Sequence, residues 1–190
     1  MARIAPAHPI PDEELEGLTA AERLDRQTIG VISHRPELAE ALLRWAGSLQ
    51  EDDKGTLPRR LTELVRLRIA FWNQCRSCMS VRYDPDAVSE DLVCSLERPE
   101  EADDLSPAER VALRFADLMA TDHLAIDDAL YNELREHFTE GEIVELGMHC
   151  GQYVGMGRLA ATWQLHDHLH ERFQSPQEAP YTPWGPGALR

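Results

Sequence analysis

The chain has 190 residues, enough for one domain with a sizeable buried core and too few to expect two full domains. Its 34 acidic residues outnumber its 19 basic ones and give a formal charge of -15, which disfavours binding to nucleic acids and to anionic lipid headgroups. No apolar run reaches the roughly 20 residues of a membrane span, and the first residues lack a signal-peptide core. We therefore expect a cytoplasmic protein without nucleic-acid or membrane partners.

Helical periodicity runs through most of the sequence and no alternating strand pattern is present, so we predict an all-α protein of roughly seven or eight helices. The segment Thr19–Glu22 is a capping box that starts a first helix reaching about Thr28. Pro36 opens a second helix. The apolar residues that recur in it every three to four positions are Leu38, Leu42, Trp45 and Leu49.

A third helix begins at Pro58 and leads the chain to Cys75. Cys78 and Arg82 are predicted on a short helix that follows, and the Asp84–Pro85 step ends it. Later helices begin behind side chains that can accept a hydrogen bond from the first helical turn. These predicted N-caps are Ser89, Ser106, Asp127 and Thr139.

The last predicted helix follows Thr139 and extends as far as Phe173. It contains Gly147, Gly151, Gly155 and Gly157, and glycines at these positions predict either close helix packing or a local break. The sequence thus divides into an N-terminal arm with the first helix over residues 1–35, a helical domain over 36–173, and a Pro/Gly-rich C-terminal arm over 174–190.

Cys75 and Cys78 form a CxxC pair, whereas Cys94 and Cys150 stand alone. Backbone N–H groups at a helix start favour a thiolate, and this spacing lets two sulfur atoms reach disulfide geometry. One sulfur can then attack a substrate while the other resolves the intermediate. A structural pair and a metal site are the alternatives, although zinc usually takes four ligands and no second cysteine pair is present. The pattern favours a redox pair.

The stretch from Glu63 to Cys78, ELVRLRIAFWNQCRSC, resembles the signature of the carboxymuconolactone decarboxylase and alkylhydroperoxidase-D (AhpD) superfamily. In that signature a glutamate precedes the first cysteine by 12 residues, and Asn-x-Cys-x-x-Cys follows an apolar helix. The resemblance covers roughly residues 36 to 170. It implies an all-α AhpD-like fold that assembles into a homotrimer or hexamer.

Superfamily members with a CxxC reduce hydroperoxides or act as disulfide reductases. The resemblance implies that Cys78 is the peroxidatic thiol, Cys75 the resolving thiol and Glu63 the start of a proton relay. The helix dipole alone would favour Cys75 as the nucleophile, so the order of the two sulfurs is open at this point. The resemblance also implies a lipoylated or thioredoxin-like protein as the electron donor, and no bound cofactor.

The superfamily signature has a histidine four residues after the second cysteine, where this chain has Arg82. An arginine side chain stays protonated and cannot act as a general base, but it can stabilise a thiolate or pair with Glu63. His149, in the last helix, is the substitute candidate for the relay base. A hydrogen-bonded core histidine is the simpler interpretation of that residue.

Two histidines near the end of the last helix form a possible metal pair. His166 and His170 share a face at i and i+4 if the helix continues that far, and this spacing suits two ligands of one metal ion. A solvated helix end is the simpler interpretation, because histidine is favourable near a helix C-terminus. We expect no metal at this position.

These observations predict a thiol-dependent oxidoreductase that acts on a hydroperoxide or a disulfide through Cys75 and Cys78. One alternative is a decarboxylase of the same superfamily that acts on a small lactone or acid without cysteine chemistry. Another is a non-catalytic helical oligomer that senses oxidants. Dependence on the cysteines separates the first hypothesis from the decarboxylase, and turnover separates it from the sensor.

Overall fold

The computed structural model describes residues 2–50, 55–166, 169 and 171–174, which form helices and connecting segments with no β-strand among them. This confirms the predicted all-α class. The helices are α1 (Asp12–Leu15), α2 (Ala20–Ile32), α3 (Pro36–Gln50), α4 (Arg59–Trp72), α5 (Arg76–Ser80), α6 (Glu90–Ser95), α7 (Pro107–Thr121), α8 (Asp128–Arg135), α9 (Glu140–Trp163) and α10 (Glu171–Gln174). Within these ranges, no helix has both the length and the apolar character that a membrane crossing requires.

Three capping boxes fix the starts of the helices α2, α7 and α9, as the sequence predicted. The hydroxyls of Thr19, Ser106 and Thr139 each accept the backbone N–H of a glutamate three residues later, and that glutamate accepts the N–H of the capping residue. The short helix α1 was not predicted, because its four residues are too few to show a periodic pattern.

Helix α4 is the centre of the fold and packs against both α7 and α9. Its apolar face is fully buried and includes Leu64, Leu67 and Ile69. Burying one such side chain stabilises the fold by about 1.5–3 kcal/mol. The opposite side of the helix is also covered, so that Glu63 and Arg66 are buried as well. An amphipathic helix normally leaves charged residues in water. Because these two are buried, we expect this face of α4 to form part of a functional site.

A second apolar cluster packs the N-terminal helix α2 onto the cysteine segment and the end of α9. Leu24 and Val31 of α2 belong to this cluster together with Cys75 and Trp163. Helix α3 follows and contributes less to the core, because Leu38 of its predicted apolar stripe is 55% exposed. The N-terminal part of the chain therefore covers the cysteine segment.

Helix α9 is continuous from Glu140 to Trp163 and shows no break at its glycines. It ends because Gln164 adopts the left-handed conformation, with φ 57°. The predicted extension to Phe173 is therefore wrong, and His166 follows the helix instead of lying on its face. His170 and the predicted C-terminal arm after Gln174 lie outside the described residues.

The glycines of α9 face two different environments. A Cβ at Gly157 would collide with the side-chain amide of Asn73, which donates to the Tyr153 carbonyl and accepts from Arg158. A Cβ at Gly155 would meet nothing within 4 Å. Gly147 and Gly151 are equally open. The close approach expected from the sequence is thus confined to one glycine, where the helix meets the end of α4.

Replacing Gly157 by alanine should destabilise the protein by about 1–3 kcal/mol, because Asn73 must give up its hydrogen bonds to make room. The matched change Gly155→Ala should stabilise it by up to about 1 kcal/mol through helix propensity alone. Urea titrations of the oxidised proteins, followed by far-ultraviolet circular dichroism, measure both changes. Equal effects at the two positions would contradict the packing described for Gly157.

Candidate active site

The cysteine segment begins where α4 ends. The backbone of Gln74 is left-handed, with φ 50°, and it turns the chain so that Cys75 becomes the N-cap of α5. The sulfur atoms of Cys75 and Cys78 lie 2.06 Å apart and form a disulfide. The structure therefore brings the two predicted redox cysteines together in one bond, as their spacing allowed.

The two cysteines differ in their surroundings. Cys75 is fully buried, and its sulfur accepts the backbone N–H of Cys78 at 3.3 Å. The hydroxyl of the buried Ser77 lies 3.6 Å from the same sulfur. Cys78 is half-buried and lines a cavity. Local hydrogen bonds thus favour negative charge on Cys75, whereas access from outside favours Cys78.

Glu63 and Arg66 form a buried ion pair beside the cysteine segment. The guanidinium of Arg66 donates two hydrogen bonds of 2.7 Å to the Glu63 carboxylate. It also donates to the carbonyl of Cys78 at 2.7 Å and to that of Val81 at 2.9 Å. The Glu63 carboxylate accepts a further bond from the backbone N–H of Tyr83. This pair therefore ties α4 to Cys78 and to the segment that follows it.

The charge state of the pair follows from these contacts. Burial raises the pKa of Glu63, but Arg66 and the Tyr83 N–H more than offset this and leave that pKa below its usual value. Burial disfavours the charged form of Arg66, but the Glu63 carboxylate outweighs it and raises the pKa of the guanidinium. Glu63 is thus an ionised residue whose oxygens are already bonded, a poor starting point for a proton relay.

Arg82 does not pair with Glu63 in the structure. Its guanidinium donates to the Glu90 carboxylate at 2.8 and 3.1 Å and to the carbonyls of Met79 and Val81. The expected Glu63 contact is instead made by Arg66, because that residue lies one helical turn after Glu63 on α4. Arg82 ties the end of α5 to α6, a structural role that its sequence position did not indicate.

His149 is buried and 1% exposed in the middle of α9. Its ring stacks on Tyr153, and its Nδ1 lies 3.1 Å from the Tyr153 hydroxyl. Burial lowers the pKa of His149, and the nearby Glu145 carboxylate raises it by less. The structure places this histidine behind Tyr153, which itself lines the cavity. His149 is therefore joined to the site through one tyrosine.

A cavity of about 260 Å³ opens beside Cys78. Helices α2, α3, α4 and α9 build its wall, and most of its lining is apolar. Besides Cys78, the polar residues that line it are Asp25, Thr28, Arg66, Asn73, Tyr83, Gln152 and Tyr153. Such a mostly apolar recess with a few converging polar groups has the character of a small-molecule site.

Asp25 and Tyr83 lie at the rim of this cavity, and the sequence analysis did not identify either residue. The Tyr83 hydroxyl donates a 2.5 Å hydrogen bond to the Asp25 carboxylate. The Tyr83 ring also lies over the Arg66 guanidinium, 4.9 Å from its central carbon. These residues are 58 positions apart in the chain, and no local pattern signals their contact.

The remaining candidates contribute no cluster of ligands. In the part of the chain that the structure describes, no group of three His, Cys, Asp or Glu side chains is arranged to hold a metal ion. Cys150 is fully buried, and burial raises its pKa to about 12, so this thiol is unreactive at neutral pH. Cys94 is exposed on α6.

Comparison with known proteins agrees with this fold and this motif. Residues 36–118 match the carboxymuconolactone decarboxylase family. This match includes the cysteine motif and covers less than half of the chain. An uncharacterised protein of Mycobacterium tuberculosis is 40% identical over 91 residues, which are 45% of this chain and 31% of that protein. The chain thus spans less than a third of that relative's length.

Solved structures with little sequence identity share the fold. One is the AhpD core of an uncharacterised peroxidase-related protein from Ralstonia eutropha, with a TM-score of 0.61 and 19% identity over 93% of this chain and all of that one. Another is a cysteine-to-alanine variant of the debrominase Bmp8 in complex with 2,3,4-tribromopyrrole. It has a TM-score of 0.64 and 17% identity over 90% of this chain and 91% of that one.

Removing the Glu63 charge should be costly, because it leaves the Arg66 guanidinium buried without its carboxylate. We expect Glu63→Gln to destabilise the protein by about 3–5 kcal/mol. The matched change Glu40→Gln removes the partner of Arg44 in an exposed ion pair and should cost less than about 1 kcal/mol. Urea titration at pH 7 measures both values, and similar losses in the two variants would contradict the buried pair.

The ion pair of Glu63 and Arg66 also predicts how the stability of the protein changes at low pH. Because the pKa of Glu63 is lower in the folded than in the unfolded chain, its stabilising effect is complete above about pH 4.3 and is lost as the pH falls through the folded value. The difference in unfolding free energy between wild type and Glu63→Gln should therefore shrink as the pH is lowered from 5 to about 3. A difference that stays constant over this range would contradict the lowered pKa.

Proposed function

We propose that this chain is a thiol-dependent oxidoreductase in which Cys78 attacks a hydroperoxide or a disulfide and Cys75 resolves the intermediate. The observation that carries the proposal is the unequal access to the two sulfurs, since Cys78 lines the cavity and Cys75 is fully buried. A substrate must touch the sulfur that it oxidises. Access therefore favours Cys78 as the attacking thiol, although the helix dipole alone would favour Cys75. The N–H bond to Cys75 then favours the thiolate that resolves.

With a hydroperoxide, the Cys78 thiolate attacks the terminal oxygen and the O–O bond breaks, which expels an alkoxide that is protonated to the alcohol. Cys75 then attacks the Cys78 sulfenic acid, the S–O bond breaks, and water leaves after taking one proton. The two thiols supply the two electrons that reduce the peroxide. A dithiol donor, such as a lipoylated or thioredoxin-like protein, reduces the disulfide again by thiol–disulfide exchange.

Glu63, Arg66 and Arg82 act as positioning residues in this proposal. Arg66 holds the carbonyl of Cys78, and Glu63 keeps Arg66 in place. Arg82 holds the end of α5 through the Met79 carbonyl. None of the three has a proton to exchange near neutral pH, because the carboxylate is held ionised and arginine stays charged. The neutral His149 supports the Tyr153 wall of the cavity instead of supplying a base.

A second candidate function is the reductive removal of halogen from a small aromatic compound. The apolar cavity and its two tyrosines, Tyr83 and Tyr153, give a flat aromatic ring a place beside Cys78. In this reaction Cys78 would take the halogen, the ring carbon would take a proton, and Cys75 would displace halide to form the disulfide. The likeness to a debrominase in fold makes a bromopyrrole the first compound to test.

The expected homotrimer or hexamer, and the expected cytoplasmic location, stay predictions. Exposed apolar side chains on α9, among them Val144, Met148 and Leu159, provide surface that such an assembly would bury. A decarboxylase of the same superfamily would use this cavity without the cysteines, and a redox sensor would form the disulfide without turnover. Both alternatives are separated from the proposal by the cysteine variants below.

The central experiment measures reduction of hydroperoxides, disulfides and bromopyrroles by the reduced protein in the presence of a dithiol donor. Cys78→Ser should abolish turnover, because Cys75 is buried and no other thiol lines the cavity. Cys75→Ser should still react once and then stop with an adduct or a sulfenic acid on Cys78, which mass spectrometry detects. The exposed Cys94 serves as the control, and Cys94→Ser should behave as the wild type.

The outcomes separate the hypotheses. Turnover that survives Cys78→Ser would contradict the proposal and favour cysteine-independent chemistry. A reversible disulfide without turnover on any substrate would favour the sensor. A redox titration in glutathione or dithiothreitol buffers should place the Cys75–Cys78 couple between about -200 and -300 mV, the range of working dithiols.

A further inference from the structure

The rim of the cavity holds a proton-exchanging group that belongs to neither the cysteine motif nor the segment that matches the family. Asp25 lies on α2, and the family match begins at residue 36. Asp25 is an exposed residue whose carboxylate accepts the Tyr83 hydroxyl. It lines the same cavity as Cys78. Glu63 and Arg66 keep their charges, so neither of them can donate a proton in the reaction at Cys78.

We propose that Asp25 is the acid–base residue of the Cys78 reaction, with Tyr83 as the residue that positions it. The proposal rests on the thiol-dependent function above and assigns the proton transfer that this function requires. Asp25 takes the proton of the Cys78 thiol before the attack. It then returns the same proton to the oxygen that leaves when the O–O bond of the hydroperoxide breaks.

Asp25 both accepts and returns the proton that this step requires. The Asp25 carboxylate becomes a carboxylic acid as Cys78 becomes a thiolate. The thiolate takes the terminal hydroxyl of the peroxide, and the carboxylic acid protonates the departing alkoxide, so that Asp25 ends as a carboxylate. An alkoxide is a strong base and a poor leaving group, so a proton donor at this point lowers the barrier. Asp25 then exchanges with solvent, to which it is exposed.

The surroundings of Asp25 suit this role. Burial on the cavity side raises the pKa of Asp25, while the Tyr83 hydroxyl and Arg66 lower it by less and Glu22 on the same helix raises it. The carboxyl group thereby moves toward the range in which it can both take and give a proton. The cavity wall from α3 is apolar here, and α9 contributes the hydroxyl of Tyr153.

Tyr83 fixes the direction of the carboxylate. Its ring rests over Arg66, and its hydroxyl donates to the Asp25 Oδ1. Because Arg66 also holds the Cys78 carbonyl, one guanidinium sets the position of both the sulfur-bearing residue and the tyrosine. The geometry thus couples the orientation of Asp25 to that of Cys78 through two contacts of Arg66.

The test compares two oxidants that differ in their leaving group. Oxidation of Cys78 by tert-butyl hydroperoxide expels an alkoxide, which needs a proton. Methyl methanethiosulfonate is also small and uncharged, but it expels a sulfinate, a weak base that leaves without one. Single-turnover rates of the reduced protein are measured with both reagents by quenching and mass spectrometry, for wild type, Asp25→Asn, Tyr83→Phe and the control Asp86→Asn.

Asp25→Asn should slow the reaction with the hydroperoxide by about 100-fold, because the alkoxide then leaves without a proton donor. The rate with the thiosulfonate should stay within about threefold of wild type, because the Cys78 thiol can still lose its proton to solvent in a fast equilibrium. Tyr83→Phe should show the same selectivity with a smaller loss, because Asp25 remains but is no longer held. Asp86→Asn removes an exposed carboxylate from the loop after Tyr83 and should change neither rate. Circular dichroism establishes that each variant is folded.

The pH dependence gives an independent readout. The reactive form of the Cys78–Asp25 pair holds one proton between the two groups, so the wild-type rate with the hydroperoxide should follow a bell-shaped curve. Asp25→Asn should lose the bell shape, and its much lower rate should rise with pH to a plateau as the Cys78 thiol ionises. A purely structural role of Asp25 would lower the curve without changing its shape.

Each outcome of these experiments either supports or contradicts the proposed role of Asp25. Equal losses with the two oxidants, or no loss with either, would overturn the role of Asp25 while the reaction of the wild type upholds the cysteine chemistry. A wild type that fails to oxidise Cys78 with the hydroperoxide would overturn the peroxidase reaction and the role of Asp25 together. A selective loss with the hydroperoxide, together with a pH profile that rises to a plateau instead of forming a bell, establishes Asp25 as the acid–base residue.

Discussion

The contact between Glu63 and Arg66 holds the whole site in one arrangement. Taking two charges out of water costs several kcal/mol per ion, and such a pair is tolerated where the remaining hydrogen-bonding groups are also satisfied. Here the guanidinium reaches the carboxylate, two carbonyls of the cysteine segment and the face of Tyr83. The pair therefore fixes the end of α5, the position of Cys78 and the position of Tyr83 at the rim of the cavity.

The site is assembled from two parts of the chain with different origins in the sequence. The segment that matches the family supplies both cysteines and the buried ion pair. The helices α2 and α9 lie outside that match and supply much of the cavity wall, including Asp25 and Tyr153. Proteins that share the cysteine motif can therefore differ in the compound they accept, because the wall is free to change while the ion pair keeps the sulfurs in place.

Some features of this fold and site could be predicted from the sequence, and others could not. The capping boxes at Thr19, Ser106 and Thr139 are local patterns, so the starts of α2, α7 and α9 were predictable, as was the meeting of Cys75 with Cys78. The end of α9 was not, because nothing in its composition signals a left-handed Gln164. The contact of Asp25 with Tyr83 depends on how α2 packs, and no short-range pattern encodes it. The burial of Glu63 was hidden for the same reason, since its helix carries the charge spacing of a solvated face.

The burial of Cys75 has a consequence for how electrons return to the protein. In the proposed reaction, the accessible sulfur of the oxidised state is again that of Cys78, so an incoming donor would have to attack the same atom that the substrate oxidised and to expel Cys75. Oxidant and donor would then bind alternately at the same opening and compete for it, which would give ping-pong kinetics with mutual inhibition. A donor whose dithiol sits on a long, flexible arm can reach into a recess of this size. A donor whose cysteines lie flat on a rigid surface would be kept outside by the helices that form its mouth.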